Sequence, residues 1–229
     1  MSKKIIIAID GPAASGKSSA AKYLAEKLGF TYLDTGAMYR AVTYLVLKNN
    51  IQNDTKAIVE LVKNLDIRLE FKNGVTNVFV NGEDVTDFIR SPEVSSMVSE
   101  VSVIPEVRSE LVKLQRKIGE NVDIVAEGRD TTTVVFPNAD LKVFLTADID
   151  ERAKRRFEEY LSKGRKVAFE DVRANLSKRD RIDSSREHSP LSKADDAFEL
   201  DTTNLTIDEE IQKIIDRVKQ IKFVKELNT

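Results

Sequence analysis

Ile5-Ile6-Ile7-Ala8-Ile9-Asp10-Gly11-Pro12-Ala13-Ala14-Ser15-Gly16-Lys17-Ser18-Ser19 decides the fold. Its first half is a short β-branched run, which reads as a buried strand. Its second half spells G-x-x-x-x-G-K-S over residues 11–18, and an alanine-rich stretch of helical periodicity follows. Strand, glycine loop and helix start in that order make a phosphate cradle: backbone N–H groups point inward and the helix N-terminus adds partial positive charge. Lys17 is expected to reach the β- and γ-phosphates of a nucleotide, and the Ser18 hydroxyl to sit on Mg²⁺. A purely structural turn would need neither the lysine nor the flanking strand and helix.

Working outward, helical periodicity runs from about Gly16 to Leu28, with Gly29 as C-cap, and a strand over Phe30–Leu33 stops at Asp34-Thr35-Gly36. Helices are expected over Ala37–Lys48 and Thr55–Leu65. The next stretch differs in kind. Ile67–Phe71 alternates apolar and charged residues, Asn73-Gly74 and Asn81-Gly82 are hairpin signals, and Asn77–Val80 and Glu83–Val85 complete a small antiparallel sheet. Ser91-Pro92 and Pro105 each open a helix. Strands return at Asp123–Ala126, Leu141–Leu145 and Ala197–Leu200. A charged helical stretch over 150–186 is broken at Gly164, and Ile207–Ile221 closes the chain as an amphipathic helix. Strands alternating with helices predict an α/β fold: a P-loop NTPase-type parallel sheet with helices on both faces, plus the inserted antiparallel sheet and a short helical lid. Ligands of such sheets bind at the strands' carboxyl ends, where the glycine loop, Asp34 and Arg129-Asp130 all fall.

The chain has 229 residues, a formal charge of −2 and no cysteine. That length suits one core with small inserts, and the lack of cysteine excludes disulfides and Cys-based metal sites. No signal-peptide pattern or membrane-length apolar run is present, so a cytoplasmic location is expected. The balanced charge gives no case for nucleic acid as a partner. His188 is the only histidine, which removes a histidine metal cluster and a Ser-His triad. Asn175, Lys178 and Asp180 loosely resemble a guanine-reading motif, but the spacing is wrong for a GTPase.

Three groups remain as carriers of chemistry. Thr35 and Arg40 could hold an anionic acceptor, Arg40 through its bidentate fork, or Thr35 could simply cap a helix and Arg40 lie on the surface. Arg129-Asp130 could be a local ion pair, or could give Arg129 a phosphate and Asp130 a base-edge donor such as the cytosine amino group. The arm with Arg152, Arg155, Arg156, Arg165, Arg173 and Arg179 could be a solvated helix laced with ion pairs. Beside a phosphate loop such arginines have another role: closing on a transferring phosphoryl group, worth about 10³–10⁵ in rate.

Together these pieces resemble the bacterial cytidylate kinase family of nucleoside monophosphate kinases. The matching stretches are I-D-G-P-A-A-S-G-K-S-S at 9–19, L-D-T-G-A-M-Y-R at 33–40, V-N-G-E-D-V at 80–85 and I-R-S-P-E-V at 89–94. E-G-R-D at 127–130, T-V-V-F-P at 133–137 and K-R-D-x-x-D-x-x-R at 178–186 continue the family's order along nearly the whole chain. The resemblance implies transfer of the γ-phosphoryl group of ATP to CMP or dCMP, with Mg²⁺; the lack of a long apolar surface stripe favours a monomer, and no nucleic-acid or membrane partner is expected. It implies a core of about 1–35, 121–150 and 187–229, a monophosphate-binding insert of about 36–120, and a lid with its helical arms over about 151–186. ATP falls to Gly11, Pro12, Ala13, Ala14, Ser15, Gly16, Lys17, Ser18 and Ser19. The acceptor phosphate and its surroundings fall to Thr35, Arg40 and Arg129, the cytosine base to Ser99, Arg108 and Asp130, and the sugar and phosphate to Asp183 and Arg186. Lys17, Arg129 and Arg179 are the expected catalytic residues, Ser18 the metal-binding one, and Arg152, Arg155 and Arg156 the lid arginines. The alternatives are a kinase for another small acceptor such as UMP, and a P-loop switch that binds nucleotide without turnover. One departure stands out. The family usually has an apolar residue and then glycine after Arg-Asp, whereas Thr131 and Thr132 stand here, and a side chain in place of glycine could crowd the acceptor site or shift its backbone.

The chemistry is consistent with the shortage of histidine. A phosphate acceptor, its second pKa being about 6, is largely ionised at neutral pH and needs no general base. Positioning and positive charge along the transfer line are what the reaction requires.

Overall fold

The computed structural model describes residues 4–72 and 75–221, so the Asn73-Gly74 turn lies outside the described residues. In chain order, β1 (Ile6–Asp10) leads into α1 (Lys17–Leu28), β2 (Thr31–Asp34), α2 (Thr35–Lys48) and α3 (Thr55–Lys63). The antiparallel strands β3 (Ile67–Lys72), β4 (Val75–Val80) and β5 (Glu83–Asp84) precede α4 (Pro92–Ser102) and α5 (Pro105–Gly119). The chain returns through β6 (Ile124–Gly128) and β7 (Leu141–Thr146), makes α6 (Ile149–Ser162) and α7 (Phe169–Ser185), and ends in β8 (Phe198–Asp201) and α8 (Ile207–Val218).

β2, β6, β1, β7 and β8 form, in that order, one parallel sheet. Both of its faces are covered, which is why β1 and β6 read as unbroken Ile/Val/Ala runs rather than alternating ones. On one face α1 and α8 bury Ala20, Ala21, Leu24, Ile211 and Ile214 against Ile7, Ile9 and Val125. Met38, Val42 and Leu111 pack on the other face with Ile124 and Ala126, and the same cluster takes in Val78 and Val80 of the small sheet. No helix among the described residues is long and apolar enough to cross a membrane.

Register sets the site. Asp10 pairs with Gly128 and Asp34 with Glu127, so the chain leaves β1, β2 and β6 at one level of the sheet. The segment after Asp130 is a wide helical turn over Thr131–Val135. Bonds from Val135 N to Asp130 O (3.1 Å) and Phe136 N to Thr131 O (2.8 Å) span five residues, the spacing of a π-turn. Arg116 of α5 clamps it by donating to the Val134 and Val135 carbonyls at 2.6 and 3.0 Å.

Candidate active site

Close approach fixes the phosphate loop. A Cβ on Gly11 would stand 2.1 Å from the Leu145 carbonyl oxygen of β7, so only glycine fits as the chain leaves β1. Gly16 takes φ +97°, a left-handed conformation that suits glycine, and caps α1. No side chain caps that helix and no acid stands in its first turn, so its N–H groups and positive dipole end are left for an anion. Ser18 and Ser19 are exposed in that first turn, while Lys17 is buried and its ammonium donates to the Pro12 carbonyl at 2.8 Å. Burial, helped by the nearby Arg129 charge, lowers the Lys17 pKa to about 7. A phosphate arriving in the loop would favour the charged form again.

Asp34, rather than Thr35, caps α2, accepting from Ala37 N at 2.8 Å. The Thr35 hydroxyl donates to the Glu127 carbonyl at 2.6 Å and faces the cleft, held between β2 and β6. Arg40, one helical turn further, also reaches the cleft and donates to Ser95 Oγ at 2.9 Å. Arg129 and Asp130 are not paired with each other. Arg129 Nε donates to Asp183 Oδ2 of α7 at 2.9 Å, while Asp130 takes a guanidinium N–H from Arg108 of α5. Arg108 also donates to the Ser102 carbonyl at 3.0 Å, which fixes its fork, and its guanidinium lies over the Tyr39 ring. Asp183 is met by Ser99 Oγ at 3.3 Å and by Arg186 as well as by Arg129. Burial works to raise its pKa, but Arg129 and Arg186 outweigh that and hold it below the usual carboxylate range. Thr35, Arg40, Ser99, Arg108, Arg129, Asp130, Asp183 and Arg186 therefore line one cleft, of about 770 Å³, together with Ala13–Ser19 of the phosphate loop.

The arm divides. Arg155, Arg156 and Arg179 line the cleft. Arg152 does not: it is buried, bonds the Ala147 and Ala13 carbonyls at 2.9 and 3.2 Å, and pairs with Asp180 at 2.7 Å. It ties α6 and α7 to the back of the phosphate loop instead of closing over it. Arg179 is 8% exposed, its Nε has no partner, and no carboxylate pairs with it among the described residues. Burial, with Arg40 and Arg129 close by, lowers its pKa to about 9, and burial with Arg156 brings Arg40 to about 10. A buried cluster of mutually depressed cations is a site prepared for a polyanion.

The sequence pattern of the cytidylate kinase family matches residues 7–220. A curated relative named cytidylate kinase, from Bacillus subtilis strain 168, is 50% identical over 221 residues, 96% of this chain and 99% of that one. Another of that name, from Carboxydothermus hydrogenoformans, is 51% identical over 92% of this chain and 95% of its own. The chain belongs to the cytidylate kinase family. Among solved structures, an uncharacterized protein from Eubacterium ventriosum shares the fold with a TM-score of 0.52 at 16% identity, covering 95% of this chain and 99% of that one.

Against the usual pattern of cytidylate kinases, Thr131 and Thr132 do not crowd the cleft. Both are fully buried beneath it, and their backbone N–H groups donate to Asp10 at 2.9 and 2.7 Å. Glu210 is a lining residue that the sequence did not reveal, since it reads as one of three acids in the first turn of α8. Its carboxylate, 3% exposed, occupies the space where a Cβ on Gly16 would stand, and Oε1 has no partner. Burial raises its pKa to about 7, against the opposing pull of Arg155 and Lys17. The folded chain thus holds a proton there that the unfolded chain releases near pH 4.5, and stability falls as pH rises from about 4.5 to 7. Glu210→Gln should therefore raise Tm by several degrees at pH 8 and leave it nearly unchanged at pH 4.5, as thermal unfolding at the two pH values would record.

Proposed function

We propose that this member of the cytidylate kinase family binds ATP with Gly11–Ser19 and transfers its γ-phosphoryl group to CMP or dCMP held by the other half of the cleft. The observation that carries the acceptor reading is the buried Arg108–Asp130 pair in a cleft that also holds the uncapped α1 terminus. A carboxylate fixed by a guanidinium presents acceptor and donor side by side, which matches the amino group, N3 and O2 of cytosine. Uracil would set a carbonyl against Asp130 and leave the carboxylate unpaired, a mismatch that buried polar sites reject strongly.

In this reading Thr35, Arg40 and Arg129 orient the acceptor phosphate, and Asp183 and Arg186 the sugar. No cluster of three His, Asp or Glu side chains among the described residues could hold a metal by itself. The donor set suits Mg²⁺, which keeps several waters and is bound largely through substrate phosphates, with the exposed Ser18 hydroxyl as its protein ligand. Mg²⁺ when bound would neutralise charge on the β- and γ-phosphate oxygens. The chain's own residues do the rest. The loop N–H groups and Lys17 hold the donor, and Arg179 and Arg156 offset charge on the phosphoryl group in flight. Residues 36–120 are proposed to carry the acceptor and 151–186 to form the lid that excludes water. A coupled assay of ADP release, run with ATP and a panel of monophosphates, tests the reading. CMP and dCMP should be used far better than UMP or AMP, and equal use of all four would remove it.

A further inference from the structure

Asp10 is the last residue of β1 and immediately precedes the phosphate loop. It is fully buried and has no cation bonded to it among the described residues. The charge that acts on it is that of Asp130, of its own sign and itself bound to Arg108. Burial raises its pKa, and Asp130 adds to the rise. What opposes them is three hydrogen bonds from two residues: Thr131 N to Oδ1 at 2.9 Å, Thr132 N to Oδ2 at 2.7 Å, and Thr132 Oγ1 to Oδ2 at 2.7 Å. The hydroxyl bond is the strongest of the lowering influences.

These bonds run between the two halves of the cleft. Asp10 starts the donor loop. Thr131 and Thr132 start the π-turn that directly follows Arg129 and Asp130. Protonation of Oδ2 would put a hydrogen where two donors now arrive, and would free the turn that sets the position of Arg129 and Asp130. A hydrogen bond to an ionised group buried from water is among the stronger ones a side chain can make.

We propose that Thr132 is a positioning residue for the acceptor: its hydroxyl adds a third hydrogen bond to the Asp10 carboxylate and thereby pins the Arg129-Asp130 segment to the base of the phosphate loop. This rests on the acceptor reading given above. The residue that the family pattern leads one to expect there, glycine, could supply only the backbone bond. The charged group that acts on Asp10 is Asp130, itself paired with Arg108 of α5, and the neutral Thr35 and Thr131 hydroxyls stand with Asp10 around Gly128.

Steady-state kinetics over pH 5–9 test it on three variants beside the parent. Thr132→Val keeps the shape and removes the hydroxyl. It should raise KM for CMP on the order of tenfold, leave KM for ATP within about threefold, and move the acid limb of kcat/KM for CMP upward by about one pH unit. Thr132→Ser should restore both the KM and the limb. Thr132→Gly, which adds no bulk, carries the same test if the valine variant does not fold. Asp130→Ala is the reference: a CMP KM unchanged there removes the acceptor reading and this inference with it. A normal Asp130→Ala effect beside a Thr132→Val or Thr132→Gly enzyme with parental KM and acid limb would overturn this inference alone. So would a serine variant as impaired as the valine one.

Discussion

Lys17→Ala is expected to lower kcat by about 10³ or more while the protein stays folded. The ammonium is the one side-chain cation that the loop itself carries, and among the described residues it is buried with only the Pro12 carbonyl as a bonded partner. Burial already pushes its pKa down to about 7, so the folded protein holds this charge at a loss. Removing it takes away transition-state charge stabilisation but no packing that the core depends on. Melting temperature should be equal to the parent's or higher. Turnover above about one hundredth of the parent's would contradict the donor assignment, and an unfolded variant would contradict the claim that the lysine is held at a cost.

Arg179 should be nearly as important, but in a different kinetic constant. Its guanidinium is buried among Arg40, Arg129 and Arg156, without a carboxylate bonded to it among the described residues. Such a group gains most when negative charge spreads over the phosphoryl oxygens, which happens in the transition state more than in either ground state. Arg179→Ala should therefore lower kcat by about 10³ and change either KM by no more than a few-fold. Arg179→Lys should recover little, because a point charge does not reproduce a planar fork. A loss confined to KM would place Arg179 in ground-state binding instead.

The phosphate loop was legible because everything that makes it is local: a buried strand, two glycines and a helix within twenty residues. The helix ends marked by Gly29, Ser91-Pro92 and Pro105 were legible for the same reason. Side-chain partnerships were not. Arg129 and Asp130 are sequence neighbours with opposite charges, yet each finds its partner elsewhere, Asp183 being 54 residues away and Arg108 22. Those choices depend on how α5 packs on the sheet and α7 packs on α4 and α6, which local sequence does not encode. Arg152 stands in the same basic run as Arg155 and Arg156 but points inward, because the helix turn places it beside Ala13 and Asp180. Glu210 looked like ordinary helix-start acid, and only its packing against Gly16 sets it apart from Asp208 and Glu209. Thr132 departs from the family pattern in the sequence, but the direction of its side chain is set by the fold.

We propose that base choice resides in the buried Arg108–Asp130 pair. The most direct test is the ratio of kcat/KM for CMP to that for UMP, measured for the parent and for Asp130→Ala. A buried acceptor that pairs with the cytosine amino group should hold the parental ratio at about 10² or above, and the alanine variant should lose most of it while its KM for ATP stays within a few-fold. A ratio that survives the substitution unchanged would contradict the account and place base recognition elsewhere in the cleft.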